Sequence, residues 1–188
     1  MKNTKQSLNI NAKGVASWAK QITSPNYDDR PTGCCIDMVV IHNISLPPQQ
    51  YGGDGIIELF TNQLNPDEHP YYAMIHTAKV SSHFLIRRDG ELIQFVPCSH
   101  RAWHAGISKW KNRERCNDFS VGVELEGSDF EAFTEMQYKT LNSLIKSLQE
   151  KYPICDIVGH SDIAPDRKTD PGPFFDWSRI INKYKRSK

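Results

Sequence analysis

Two short, β-branched apolar runs each lead into a histidine. One is Val39-Val40-Ile41-His42-Asn43; the other is Ile154 to Val158, followed by Gly159-His160. Runs of this length, bounded by turn residues, read as buried strands. A helix-patterned segment precedes the second run, so the chain is expected to build a sheet with helices packed on it. The same feature locates the chemistry. In α/β sheets, sites gather outside strand ends, where loops leave the packed layers.

Other segments fit this frame. Ser82 to Arg88 and Glu91 to Val96 flank Asp89-Gly90, a strong hairpin signal. Phe119 to Leu125 reads as a strand, with Val121, Val123 and Leu125 on one face and Gly122, Glu124 and Glu126 on the other. Thr134-Glu135-Met136-Gln137 is a capping box. The helix it opens carries Leu141, Leu144, Ile145 and Leu148 on one stripe and stops at Pro153. Ile56 to Phe60 suggests a short helix, and Asp176-Trp177 opens another near the C-terminus. No repeat or linker is visible. Residues 1–188 therefore read as a single α/β domain with a mixed central sheet flanked by helices, the first dozen residues being loosely held.

Composition narrows the partners. A formal net charge of +1 gives no long-range pull toward nucleic acid or an anionic membrane. No apolar stretch is long enough to span a bilayer, and Met1 to Lys20 lacks the apolar centre of a secretory signal. Five cysteines without a C-x-x-C pair read as reduced thiols in a cytoplasm. Cys34 and Cys35 are adjacent and poorly placed to bridge each other; one of them as a metal ligand beside His42 is the sharper alternative.

The densest chemistry lies in the segment from Gly159 to Pro173, where His160, Lys168 and Asp170 share a proline-stiffened loop. His and Asp are zinc ligands, and His42 offers a third. Three protein ligands with one open position define a catalytic zinc site, hence a metal-assisted hydrolase. One strand-end histidine alone is more often structural; two, with this loop, favour a site. Asp170 precedes Pro171, which pushes it toward extended backbone. Lys168 and Asp170 then point the same way, and the ammonium could stabilise an oxyanion. The bland rival is an exposed ion pair worth little.

Glu124 is the candidate general base. The pattern does not separate it from Glu126, although Glu124 lies deeper in the strand, and both could simply sit on a solvated face. Trp103, within Arg101 to Gly106, could line a sugar or peptide cleft or belong to the core. His69, in a loop before Pro70, and His76, His83 and His104 rank below the chosen pair as ligands. The basic stretch Lys109 to Arg115, if it borders the cleft, suggests a substrate bearing carboxylates.

Several of these stretches together resemble the AmpD type of the zinc amidase family that shares its fold with peptidoglycan recognition proteins. They are Val40 to Pro48, His69-Pro70-Tyr71-Tyr72, Ser82 to Gly90, Arg101 to Gly106, Arg113 to Ser120, Val123 to Gly127 and Gly159 to Trp177. The resemblance runs from about Ser24 to about Trp177. It implies a peptidoglycan recognition protein-like fold and a Zn2+ cofactor held by His42, His160 and Asp170. It implies Glu124 and Lys168 as catalytic residues, and Asn43, Tyr71, Trp103 and Arg115 as substrate-binding residues. Lys79 stands where relatives often carry Arg, and Lys cannot make the bidentate carboxylate fork. The implied reaction cuts the amide between the lactyl group of 1,6-anhydro-N-acetylmuramic acid and L-alanine. Its setting would be the recycling of small muropeptides by a cytoplasmic monomer, with no nucleic-acid or membrane partner. The alternatives are an amidase acting on intact murein, a non-catalytic muropeptide sensor and a structural zinc protein.

Overall fold

The computed structural model describes residues 8–180. Its strands are β1 (Lys20–Gln21), β2 (Tyr27–Asp29), β3 (Met38–Ile44), β4 (Phe84–Ile86), β5 (Leu92–Gln94), β6 (His100–Ala102), β7 (Lys109–Trp110), β8 (Arg113–Glu114), β9 (Ser120–Glu126) and β10 (Asp156–Gly159). Its α-helices are α1 (Gly55–Phe60), α2 (Pro70–Ile75), α3 (Glu135–Lys151) and α4 (His160–Ile163). Six strands form one sheet in the order β1-β5-β4-β9-β3-β10. The β4/β5 pair is antiparallel, as the Asp89-Gly90 turn requires, and the other pairs are parallel. The expected mixed sheet flanked by helices is the observed one.

The long central strands β3 and β9 are buried on both faces, as parallel strands covered by connections must be. Val39 and Ile41 of β3 and Val121, Val123 and Leu125 of β9 join Leu141, Leu144, Ile145 and Leu148 of α3 in one core cluster. Met38 and Val40 belong to a separate cluster with Ala105, Cys116, Phe119 and Ile163. Alternation along a strand makes this division unavoidable. It also sends His42, Glu124 and Glu126 to the face away from α3.

Helix α3 begins as its sequence dictates. Thr134 Oγ1 accepts from the Gln137 amide (3.1 Å), and Gln137 Oε1 accepts from the Thr134 amide (3.0 Å). Beyond its C-cap, Tyr152, comes Pro153, which cannot continue the helix.

Four expectations need correction. The face carrying Glu124 and Glu126 is not solvated, since both side chains are buried. Leu8 and Ile10 are packed into the α3 core, so the loosely held start does not extend to residues 8–12; residues 1–7 lie outside the described residues. His160 opens α4 instead of ending a strand, with Gly159 as its N-cap. His69 is not in a plain loop: its Nδ1 accepts from the Tyr71 amide (3.0 Å) and caps α2, whose first residue is Pro70. Proline at the first helical position was the available signal.

Glu126 shows why burial must be accompanied by partners. It accepts from Arg87 Nη1 (2.9 Å), the Gly52 amide (2.7 Å) and the Arg88 amide (3.1 Å). Arg87→Met leaves this carboxylate buried with only the two amides. The expected loss is about 3 kcal/mol, the lower end for breaking a buried pair. Thermal unfolding measures it, and an unchanged midpoint would mean that the amides alone hold the charge.

Candidate functional site

Strand β3 lies parallel to β9 with His42 opposite Glu124 and Val40 opposite Gly122. This register puts an imidazole and a carboxylate side by side on the face away from α3. The third strand, β10, lies on the other side of β3 and delivers His160 just past its last residue. Asp170 returns to the same point because the Ser161 amide donates to the Asp170 carbonyl (2.9 Å). The approach is so close that a Cβ on Gly159 would stand 2.7 Å from Pro171 Cδ, so only glycine fits there without displacing the loop.

Three donor atoms converge. His42 Nδ1 is 3.0 Å from His160 Nδ1 and 3.0 Å from Asp170 Oδ2, and His160 Nδ1 is 3.1 Å from Asp170 Oδ2. Glu124 Oε1 stands 4.0 Å from His42 Nδ1. Burial is the main influence on His42 and drives its pKa down to about 4. Burial also opposes the charge on Asp170, but His160 and His42 outweigh it and hold that carboxyl below its usual range. Glu124 goes the other way: burial, then the neighbouring Asp170 charge, raises it well above the usual carboxylate range.

At neutral pH the cluster thus sets the Asp170 carboxylate against the neutral imidazole of His42. The outward nitrogen of His160, Nε2, faces the Ala105 carbonyl at 3.2 Å, which can only accept. Nε2 therefore donates there, and Nδ1 is the nitrogen turned inward to the cluster. Two ring nitrogens and a carboxylate oxygen converging in one triangle are a set that could hold a cation between them. Two imidazoles and one carboxylate are ligands zinc accepts. The residues present therefore fit the group that the sequence implied, and among the described residues His42, His160 and Asp170 are the one such cluster, their ligand atoms all within 4.8 Å. Cys34 is no part of it, since its thiol faces the Asp118 carbonyl at 3.3 Å. All five cysteines are free.

The cluster lies in the wall of a cleft of about 410 Å3 that also takes in Glu124, Lys168, Asn43, Tyr71 and Trp103. Lys168 and Asp170 both line this cleft. Tyr71 is delivered by α2 and stands exposed at the cleft. Trp103 is pinned through its backbone, donating to Ser81 Oγ (3.0 Å) and accepting from the Ser81 amide (3.2 Å). Asn43 has both its contacts within the protein. Its Nδ2 donates to Asp129 Oδ1 (2.6 Å) and to the Pro171 carbonyl (3.0 Å). That braces the loop carrying Asp170.

Arg115 is the candidate the structure puts elsewhere. It lines a separate cavity of about 630 Å3 with Gly106 to Lys109 and Ile163 to Arg167, away from the three-ligand cluster. Its left-handed backbone (φ 59°) turns the chain into the short 3-10 turn Cys116–Asp118, and its Nε contacts Asp118 Oδ2 at 3.2 Å. The basic stretch Lys109 to Arg115 accompanies it and does not border the metal cleft.

The rival histidines are accounted for individually. His69 caps α2, and His76 Nδ1 lies 3.0 Å from the Ala73 carbonyl. His83 Nδ1 accepts from the Gly122 amide (3.0 Å). His104 was undervalued from sequence: its Nδ1 lies 3.0 Å from His42 Nε2. The only hint was its place beside Trp103 in the Arg101 to Gly106 stretch.

Comparison with known proteins agrees with this geometry. Residues 30–173 match the family model described as N-acetylmuramoyl-L-alanine amidase. The chain is 53% identical over 164 residues to the 1,6-anhydro-N-acetylmuramyl-L-alanine amidase AmpD of Escherichia coli K12, covering 86% of this chain and 90% of that one. A crystal structure of a selenomethionine AmpD derivative superposes with a TM-score of 0.89 at 50% identity, over 91% of this chain and 96% of that chain. The peptidoglycan recognition protein PGRP-SA of Apis mellifera shares the fold at 15% identity, with a TM-score of 0.60 over 88% of this chain and 95% of that one. With its family match spanning most of the sheet and all three metal-ligand candidates, this chain belongs to the N-acetylmuramoyl-L-alanine amidase family and is an amidase of the AmpD type.

Proposed function

We propose that this amidase is zinc-dependent and hydrolyses the amide between the lactyl group of 1,6-anhydro-N-acetylmuramic acid and L-alanine in small muropeptides. The observation that carries this is the buried triangle of His42, His160 and Asp170 with the Glu124 carboxyl beside it. The anhydro sugar is in the name of the 53% identical relative, and the cleft is of a size for a small substrate.

His42, His160 and Asp170 would hold a zinc ion, which would supply Lewis acidity and draw the pKa of water toward about 7. Glu124 takes a proton from the attacking water. Its raised pKa favours holding that proton until it is returned. One oxygen, Oε2, is buried without a protein partner and is free for this work. As the C–N bond breaks, Glu124 delivers the proton to the leaving L-alanine nitrogen, leaving a lactyl carboxylate and a free amine. Lys168 places its ammonium where the carbonyl oxygen gains charge. Tyr71 and Trp103 bound the substrate, and Asn43 acts by holding the Asp170 loop. Arg115 has no contact role at the cleavage site in this scheme.

The setting we propose is cell-wall recycling by a cytoplasmic monomer. Free thiols, two of them on the exposed Cys35 and Cys155, suit a reducing compartment. Among the described residues no helix is long and apolar enough to cross a membrane.

The test offers the zinc-loaded protein a soluble anhydro-muropeptide and, separately, intact sacculi, with products identified by mass spectrometry. Free stem peptide from the soluble substrate is the expected result. Release mainly from sacculi would move the activity to intact murein.

A further inference from the structure

His42 leans on a chain of groups that runs through His104 to Ser120 and the Cys116 carbonyl. The Ser120 hydroxyl lies 2.6 Å from the Cys116 carbonyl. A carbonyl has no proton to give, so the hydroxyl donates, and its single proton is committed there. Ser120 Oγ also lies 3.2 Å from His104 Nε2. With its own proton spent, the hydroxyl can only accept, so His104 carries its hydrogen on Nε2. The other ring nitrogen, Nδ1, lies 3.0 Å from His42 Nε2, and two nitrogens at that distance share one hydrogen. A His42 that turns its Nδ1 lone pair to the cation site carries that hydrogen on Nε2, so His104 Nδ1 accepts it.

We infer that His104 is a positioning residue which, directed by Ser120, holds His42 as the Nε2–H tautomer with its Nδ1 lone pair aimed at the cation between His160 and Asp170. This rests on the metal reading of the site. A metal-binding histidine is ordinarily oriented by a carboxylate, a carbonyl or water at its other nitrogen. Here a second imidazole takes that place, itself oriented by a serine.

The sheet has made room for it. A Cβ at Gly122 would stand 2.5 Å from His104 Cγ, so glycine in mid-strand lets the ring lie against β9. The two imidazoles of His42 and His104 meet edge to face, with centroids 5.1 Å apart and planes at 85°. His83 is not part of the relay: Nδ1 accepts from the Gly122 amide, and Nε2 faces the His100 carbonyl at 3.1 Å.

The test pairs a spectroscopic measurement with metal binding. Protein labelled with 15N-histidine reports each ring's tautomer through long-range 15N–1H correlations, without zinc and with it. Zinc affinity is measured by chelator competition for wild type, Ser120→Ala, Ser120→Thr and His104→Phe. Expected are Nε2–H tautomers for both His42 and His104 in wild type. Ser120→Ala should release the single tautomer of His104 and weaken zinc binding about 10-fold, and His104→Phe should weaken it by up to about 100-fold, the range for losing such a partner. Ser120→Thr keeps the hydroxyl and should restore both properties. An Nδ1–H tautomer at His104 in wild type overturns the relay, whether or not any variant folds. So does wild-type zinc affinity in both Ser120→Ala and His104→Phe. Failure of the wild type to bind zinc would refute the metal reading alone, and the zinc-free spectrum would still decide the tautomers.

Discussion

His160→Ala is expected to yield a folded protein with no bound zinc and no detectable amide cleavage. The substitution removes one of three ligand atoms and leaves the Asp170 carboxylate without the imidazole 3.1 Å away. No other histidine can step in. His104 meets His42 Nε2, on the side away from the cluster, and His83 is hydrogen-bonded into the sheet. Metal content by atomic absorption, measured beside turnover, checks this directly. Because zinc would bind the native state and not the unfolded one, wild type should also melt higher with zinc than with chelator, by about 4 kcal/mol when free zinc is 1,000 times its Kd. His160→Ala should lose that increment. Stoichiometric zinc together with activity in this variant would remove His160 from the ligand set.

The second large effect separates the metal from the base. Glu124→Gln should retain zinc while turnover falls by about 10²- to 10⁴-fold, the range for losing a general acid–base group. The same substitution should stabilise the zinc-free fold at pH 7. The pKa of Glu124 is raised in the folded protein by burial and by Asp170. Above its unfolded value, near 4.5, the unfolded chain releases this proton more readily than the folded chain does. The folded state is therefore penalised as pH rises from there toward the folded pKa. Below that window both states hold the proton and the penalty vanishes. Glutamine removes it at every pH, so the melting advantage of Glu124→Gln should be present at pH 7 and shrink toward pH 4. Unaltered turnover would rule out the proposed role, and a melting difference independent of pH would point to packing instead of charge.

Glu126 shows how closely fold and function are interleaved on one strand. Glu124 and Glu126 point to the same side of β9 and both are buried. Glu126 is neutralised by Arg87 and two amides, whereas Glu124 has an oxygen without a protein partner beside the metal ligands. One carboxylate braces the sheet; the other is left open for chemistry.

Local rules carried much of the architecture. The β-branched runs at residues 39–41 and 154–158, the Asp-Gly hairpin and the capping box at Thr134 each specify an element through interactions within a few residues, so they were legible in the chain. The candidate ligands His42 and Asp170 were legible as well, because a strand end and a proline-stiffened loop are local features, whereas the place of His160 at the start of α4 was not. Short elements with weak patterns, such as α2 and the paired strands β2 and β6, were not. Nor was the choice of Glu124 over Glu126, which rests on Arg87 arriving from β4. Arg115 carried the right charge in a basic stretch, but its left-handed backbone and the Asp118 contact direct it to another cavity. Above all, the register that sets His42 against Glu124, the Ser161 amide that ties Asp170 to His160, and the His104 ring lying over Gly122 join residues far apart in sequence. Such contacts form only when the sheet assembles, because packing and hydrogen-bond geometry across strands select one register among many that each strand's own pattern would permit.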